Sequence, residues 1–248
     1  MGLVNGKVGL ITGGGSGIGR ACALLLAREG ASVCVADMKL DSAQSVCAEI
    51  EALGAVALPV KVDVGQQDQV QAMVATAVER FGKLDCAVNC AGVVARGTIF
   101  AEIPDEAWDA NISVNLNGVR LCMKHEIARM RASGGSVVNI ASGAGLKGSP
   151  GRGAYVASKH GVIGVTKVAA IDHAKEGVRV NAICPGLILT AMTQAGIESG
   201  LFDIKAHCPM ARHGEANEVA EAVVWLCSDR SSYVTGIALP VDGGYWAW

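Results

Sequence analysis

Aromatic side chains are scarce in this sequence, at 4% of residues, and proline occurs only six times in 248 positions. An aromatic-rich sandwich core is thereby excluded, and the interior has to be built from Val, Ala, Leu and Ile. Charge is sparse too. Charged residues make up 18% of the chain, sum to a formal −2 and form no basic run, so neither nucleic acid nor an anionic membrane is an expected partner. No apolar run approaches the length of a membrane span. The glycine-rich segment follows directly on a short strand-like run, unlike a signal peptide, and Gly6 stands where a myristoylation motif needs Ser or Thr. A soluble, cytoplasmic protein is expected. The nine cysteines (22, 34, 47, 86, 90, 122, 184, 208 and 227) include no CxxC pair and no Cys/His cluster of zinc spacing. They read as reduced thiols packed as small hydrophobes, and no metal site is predicted.

What is abundant is glycine, 32 residues, within a chain that is 51% hydrophobic. Such a balance suits a layered α/β protein with many tight turns and is far from that of a disordered chain. Short apolar runs recur at 8–12, 32–37, 55–63, 85–92, 136–142, 178–184 and 237–244. Most are nearly continuously apolar, as parallel strands covered on both faces must be. Helical patterns lie between them, over 17–28, 42–53 and 70–81; in the last, Val70, Val74, Ala77, Val78 and Phe81 form one stripe. Seven strands alternating with helices predict right-handed crossovers and a doubly wound parallel sheet with helices on both faces. No linker or composition shift divides the chain, so one domain spanning 1–248 is expected. In such a sheet ligands bind beyond the carboxyl ends of the strands, which directs attention to the residues just after each strand.

The first strand is followed by TGGGSGIGRA, with Gly13, Gly17 and Gly19 at G-x-x-x-G-x-G spacing around Ser16 and Ile18. This is a variant of the dinucleotide fingerprint: a tight turn, no side chains where a pyrophosphate approaches, and helix amides aimed at its charge. Asp37 ends the second strand, eighteen residues beyond Gly19, where a carboxylate accepts hydrogen bonds from both adenosine ribose hydroxyls. It would also repel a 2′-phosphate. Neither Ser16 nor Met38 is basic, so NAD rather than NADP is the expected cofactor, with Lys39 the one residue that complicates this. Asp63, after the third strand, is placed to face the adenine amino group, with Val64 against the ring; a solvated loop aspartate or helix cap fits its spacing nearly as well. After the fourth strand, Asn89 to Gly92 bring further small residues, Ala91 among them, toward the nucleotide.

Tyr155 is one of three tyrosines, and Lys159 follows it by four positions, one helical turn. Ser142 closes the fifth strand thirteen residues before Tyr155, and Asn115 lies inside the apolar helical stretch ISVNLNGVRLC. Singly, Ser142 reads as a turn serine and Asn115 as a core amide; with the tyrosine and lysine they form a constellation.

These motifs, in this order, resemble those of the short-chain dehydrogenase/reductase family over essentially the whole chain. Thr12–Gly19 matches its TGxxxGxG, Asn89–Gly92 its Asn-Asn-Ala-Gly element, and Asn115, Ser142, Tyr155 and Lys159 its catalytic tetrad. Pro185–Gly186, Thr190 and VTGIALPVDGG match its final elements. The one departure is Cys90, where the family usually has a second Asn, which bears on how the central strand is braced. The resemblance implies a single-domain Rossmann fold and a role for each residue. Tyr155 exchanges a proton with the substrate oxygen. Lys159 helps the phenol give up that proton and holds the nicotinamide ribose, Ser142 hydrogen-bonds the substrate oxygen, and Asn115 holds a water linking Lys159 to solvent. Thr190 and the backbone of Ile188 hold the carboxamide.

Residues 190–213 read as a substrate loop, and no arginine cluster marks an anionic substrate; Arg96 and Arg152 flank the expected pocket as solvated residues. An uncharged secondary alcohol or ketone of small to medium size is expected. LCMKHEIARM and the stretch from Tyr155 to Ala182 look most like relatives that oxidise cyclic alcohols or diols. A 3-oxoacyl-[acyl-carrier-protein] reductase is the alternative within enzymes, disfavoured by Asp37. A catalytically silent NAD-sensing protein is disfavoured by the complete tetrad. The resemblance also implies a homotetramer, with Trp246 and Trp248 buried at a subunit contact.

Overall fold

The central apolar runs become strands because each is covered on both faces. In the computed structural model, which describes residues 2–94, 97–198, 204 and 208–247, seven strands form one parallel sheet. They are β1 (Val8–Thr12), β2 (Ser32–Asp37), β3 (Ala57–Lys61), β4 (Cys86–Asn89), β5 (Gly135–Ile140), β6 (Val178–Pro185) and β7 (Ala238–Val241), in the order β3-β2-β1-β4-β5-β6-β7. Every residue of β1 is buried. The order reverses between β1 and β4, whose registers pair Thr12 with Asn89. That is the switch point where a doubly wound sheet opens a crevice.

Helices α1 (Gly17–Arg28), α2 (Leu40–Ala52), α3 (Gln67–Phe81), α4 (Asp105–Asn111), α5 (Gly118–Met130), α6 (Gly153–His173), α7 (Ala191–Glu198) and α8 (Ala216–Cys227) are the α-helices whose full extents are described. Strand alternation sends successive residues to opposite layers. Ile11, Val33, Val35, Val88 and Val138 pack with α1, α2 and α8, while Leu10, Cys34, Ala36, Ala87 and Val137 pack with α3, α5 and α6. The helix over 17–28 falls where its pattern placed it. The expected run 55–63 shortens to β3, an edge strand only partly buried, where Pro59 is tolerated because one side has no ladder partner. All nine cysteines are free thiols, and eight of them are buried. Among the described residues no helix is long and apolar enough to cross a membrane.

Candidate active site

The turn leaving β1 is shaped by close backbone approaches. A Cβ on Gly19 would lie 2.1 Å from the Gly13 carbonyl oxygen, so α1 can begin against the strand only with glycine there. Gly13 has φ +64° and faces the Ala91 backbone, where a Cβ would come within 2.9 Å. Ser16 stands before α1 in extended conformation and its side chain caps no amide, so the first-turn N–H groups remain for an anionic group. Thr12 stitches the switch point: its hydroxyl oxygen accepts from the amides of Cys90 (3.2 Å) and Ala91 (3.4 Å). Burial pushes the Cys90 thiol up to about 11, although Lys159 pulls the other way. Hence the bracing that the missing asparagine put in question is supplied by Thr12.

At the end of β2, one Asp37 carboxylate oxygen accepts from Gly15 N–H and the other from Lys39 N–H, both at 3.0 Å. Lys39 is thus tied to Asp37 through its backbone.

A cleft of about 390 Å³ runs from this turn across the switch point. Gly13, Ser16, Gly17, Ile18, Gly19, Asp37, Val64, Ala91 and Gly92 line one part, and Ser142, Tyr155, Lys159, Pro185, Gly186, Ile188 and Thr190 line the other. Three expected site residues, Asp63, Asn89 and the wholly buried Asn115, are absent from this lining. Asp63 is drawn into an Asx turn, its Oδ1 accepting from Gly65 N–H at 2.9 Å. Asn89 turns its amide into the core, toward Glu126 and Asn139, instead of toward the cleft.

The catalytic end is assembled on α6 and the end of β5. Tyr155 and Lys159 share one face of α6, the ammonium lying 5.7 Å from the centre of the phenol ring. Lys159 is 4% exposed and donates to the Ile140 carbonyl at 2.8 Å, a desolvated cation satisfied by backbone. Ser142 accepts from Ala144 N–H at 3.1 Å, which leaves its own O–H to donate.

Asn115 sits in a single π-helical turn, Ile112–Asn117, between α4 and α5; such turns often mark functional positions. It clamps Val93, accepting from its N–H (2.8 Å) and donating to its C=O (2.9 Å), and also reaches Ser158 Oγ at 3.1 Å. A Cβ on Gly92 would meet both Asn115 Oδ1 (3.2 Å) and Lys159 Nζ (3.7 Å), so amide and ammonium flank one glycine.

Several participants carry no motif-level signal. Ser158 joins Asn115 to the Tyr155 carbonyl, to which it donates at 2.7 Å. Thr193 shapes the turn at Thr190, accepting its N–H (3.0 Å) and donating to Ile188 O (2.6 Å); the T-x-x-T spacing after β6 was the available clue. Trp246 packs in its own chain against Gly143, where a Cβ would fall 1.4 Å from the indole Nε1. Asp242 holds that tail by accepting from Gly244 and Trp246 N–H, both at 2.9 Å. Arg152 is not free in solvent: its guanidinium donates to Ser149 Oγ. Arg96 and Trp248 lie outside the described residues.

A glycine turn at the switch point, an acidic end to β2, and Ser, Tyr and Lys thus gather around one cleft. A family model described as enoyl-(acyl carrier protein) reductase matches residues 13–246. The chain belongs to the short-chain dehydrogenase/reductase family. It is 43% identical over 255 residues to the 2,5-dichloro-2,5-cyclohexadiene-1,4-diol dehydrogenase of Sphingobium indicum strain UT26S, covering all of both chains. It is 45% identical over 242 residues to the cyclohexanol dehydrogenase of Acinetobacter sp. strain SE19, covering 97% of this chain and 95% of that one. The crystal structure of levodione reductase superposes with a TM-score of 0.93 at 36% identity, covering 98% of each chain. The short-chain dehydrogenase/reductase fold and its oxidoreductase chemistry thus extend over the full length.

Proposed function

We propose that this enzyme transfers hydride between a cyclic, uncharged secondary alcohol and NAD. The observation that carries the reading is the convergence of Ser142, Tyr155 and Lys159 in a cleft whose far end is bounded by Asp37. Two relatives named for a cyclohexadienediol and for cyclohexanol support the cyclic alcohol. The apolar residues of the same cleft, among them Val93, Val114 and Met192, suit an uncharged ring.

NAD, when bound, supplies the hydride-accepting carbon. Gly13 to Gly19 and the open amides of α1 fit its pyrophosphate, and Asp37 fits the adenosine ribose hydroxyls. Ser142 donates its O–H to the substrate oxygen and holds the carbinol carbon in place. Tyr155 takes the hydroxyl proton as the C–H bond breaks, and in reduction returns it. The Lys159 ammonium stabilises the charge that develops on the phenol and holds the nicotinamide ribose. Asn115, fastened to Val93 and Ser158, keeps Gly92 and the start of the proton path beside that ammonium.

The expected assembly is a soluble, cytoplasmic homotetramer. The exposed Val168 and Ile171 on α6 support a covered helix face, and a stable active monomer on a sizing column would contradict it. The function is tested by following nicotinamide absorbance with cyclic and open-chain secondary alcohols plus NAD+, against acetoacetyl thioesters with NADH and NADPH. Turnover of cyclic alcohols with NAD+ is expected. Preference for a thioester with NADPH would replace this reading by an acyl-carrier-protein reductase.

A further inference from the structure

Behind the catalytic layer, between β4, β5, α5 and α6, lies a set of polar side chains that the chemistry above does not use. Asn89 is 1% exposed, and Glu126, Asn139 and Thr166 are wholly buried. Asn89 Nδ2 donates to Glu126 Oε2 and to Asn139 Oδ1, both at 3.0 Å. Asn139 Nδ2 donates to Thr166 Oγ1 at 2.9 Å, and Thr166 in turn donates to the Val162 carbonyl at 2.7 Å.

Two buried oxygens in this set have no partner: Asn89 Oδ1 and Glu126 Oε1. They belong to the two residues already joined by a hydrogen bond. A primary amide and a carboxyl group are both planar and two-pronged. Once the amide N–H meets one carboxyl oxygen, the amide oxygen and the second carboxyl oxygen complete the facing pair. An ionised Glu126 would set two acceptors against each other and leave a buried charge without a cation, a costly arrangement. One proton on Oε1 satisfies both atoms at once.

The surroundings favour that proton. Burial pushes the Glu126 carboxyl up to about 8, against the opposing pull of the Asn89 hydrogen bond. The titratable group that faces it is Cys122, one turn back on α5, and burial raises that thiol as well. β4, β5 and α6 present Asn89, Asn139 and Thr166, while α3 contributes the apolar Met73, Val74 and Ala77 to the same core.

We propose that Glu126 is held as a neutral carboxylic acid in a cyclic two-bond pair with Asn89, and that this pair is a positioning element for the active site. Asn89 ends β4, and the residues that follow, Ala91 and Gly92, line the cleft. Through Asn139 the same network holds β5, whose next residue, Ile140, receives Lys159. The pairing is independent of which alcohol the enzyme takes, so its first test needs no substrate.

Glutamine reproduces the shape and the donor–acceptor pattern of a protonated glutamate. The Glu126→Gln protein is therefore expected to keep kcat/KM within about twofold of the wild type. The infrared spectrum of the wild type near neutral pH should carry the carbonyl band of a protonated, buried carboxylic acid, absent from Glu126→Gln. The native carboxyl titrates above its unfolded value, so between those two values only the native state holds the proton. Wild-type stability then falls as pH rises from about 4.5 toward about 8 and levels off beyond. Melting temperatures of the two proteins should diverge over that window, with Glu126→Gln progressively the more stable.

Absence of the infrared band, with a melting difference that does not change with pH, would overturn the neutral pair. The positioning role is tested with Glu126→Leu, which fills the volume without the two bonds. A loss of kcat on the order of tenfold, not seen for Glu126→Gln, is expected. Wild-type kcat and NAD affinity in a folded Glu126→Leu protein would reduce the pair to a structural one. If that variant does not fold, Glu126→Met, the unbranched near-isostere, is read in the same way.

Discussion

Asp37→Asn separates the charge at the end of β2 from its geometry. The carboxylate holds the Gly15 and Lys39 amides at 3.0 Å each, so deleting the whole side chain would also loosen the glycine turn. An asparagine oxygen keeps one of those bonds and nearly the same volume while removing the charge. For NADP, the gain follows from Coulomb's law. At about 5 Å and an effective dielectric near 20, two unit charges repel by about 3 kcal/mol, and in water by about 1. A phosphate monoester carries about −1.5 to −2, and the site is half-exposed and screened, so relief of about 2 kcal/mol is expected. That is roughly thirtyfold in kcat/KM for NADP. For NAD, two hydrogen bonds to a charged acceptor weaken to neutral strength, a loss of about 1–2 kcal/mol. The ratio of the two specificity constants should therefore move by a few hundredfold toward NADP. Both constants are measured against one alcohol at two salt concentrations, and Lys39→Ala serves as a control that should weaken NADP in either background. A ratio unchanged within about twofold would remove Asp37 as the discriminating charge.

Tyr155→Phe should lower kcat by on the order of a thousandfold and leave NAD affinity, read by fluorescence titration, nearly unchanged; retained turnover would take the phenol out of the proton path. Gly143→Ala puts a methyl where Trp246 Nε1 stands, 1.4 Å from its centre. It is expected to cost about 1–3 kcal/mol of stability and to raise the KM for alcohol, and adding Trp246→Ala should recover part of both. The Cys90 thiol, pushed up to about 11 mainly by burial, is about one part in a thousand thiolate at pH 8. Alkylation by iodoacetamide at that pH should leave activity intact over the time that exposes a free thiol model, whereas fast inactivation prevented by NAD would contradict it.

The strands were legible because parallel strands buried on both faces have no polar positions to spare, and VGLIT and SVCVAD show this plainly. The glycine turn and the gathering of Ser142, Tyr155 and Lys159 in one cleft were legible because their residue types form a pattern: glycines crowded into one turn, a phenol one helical turn from an ammonium. The π turn at Ile112–Asn117 was not, since one extra residue in a helical turn hardly disturbs an apolar stripe. The place of Asn89 in a motif does not tell where its side chain points, although its alternation was available. It shares parity with Ala87, which packs with α3, α5 and α6, and so turns away from the cleft. Glu126, on the buried stripe of α5 with Val119, Cys122, Met123 and Met130, was the matching signal on the opposite element.

The two ends of the cleft are held in different ways. The cofactor end rests on backbone against backbone, as where Gly19 meets Gly13 and Gly13 meets Ala91, and such contacts leave little room for variation. The turn carrying Ser142 is different. A Cβ on Gly145 would come within 2.7 Å of the Lys159 carbonyl oxygen, so one side of this turn is fixed by α6. Its other side rests on the Trp246 indole, over which Lys147 places its ammonium at 5.7 Å. The same tail reaches the end of the segment 190–213, where Met210 N–H donates to the Gly243 carbonyl at 3.2 Å. The tail thus meets the serine turn through the Trp246 side chain and Met210 through its own backbone at Gly243. Substitutions at Trp246 are therefore expected to change the KM for alcohol more than kcat, and equal loss of both parameters would contradict this reading.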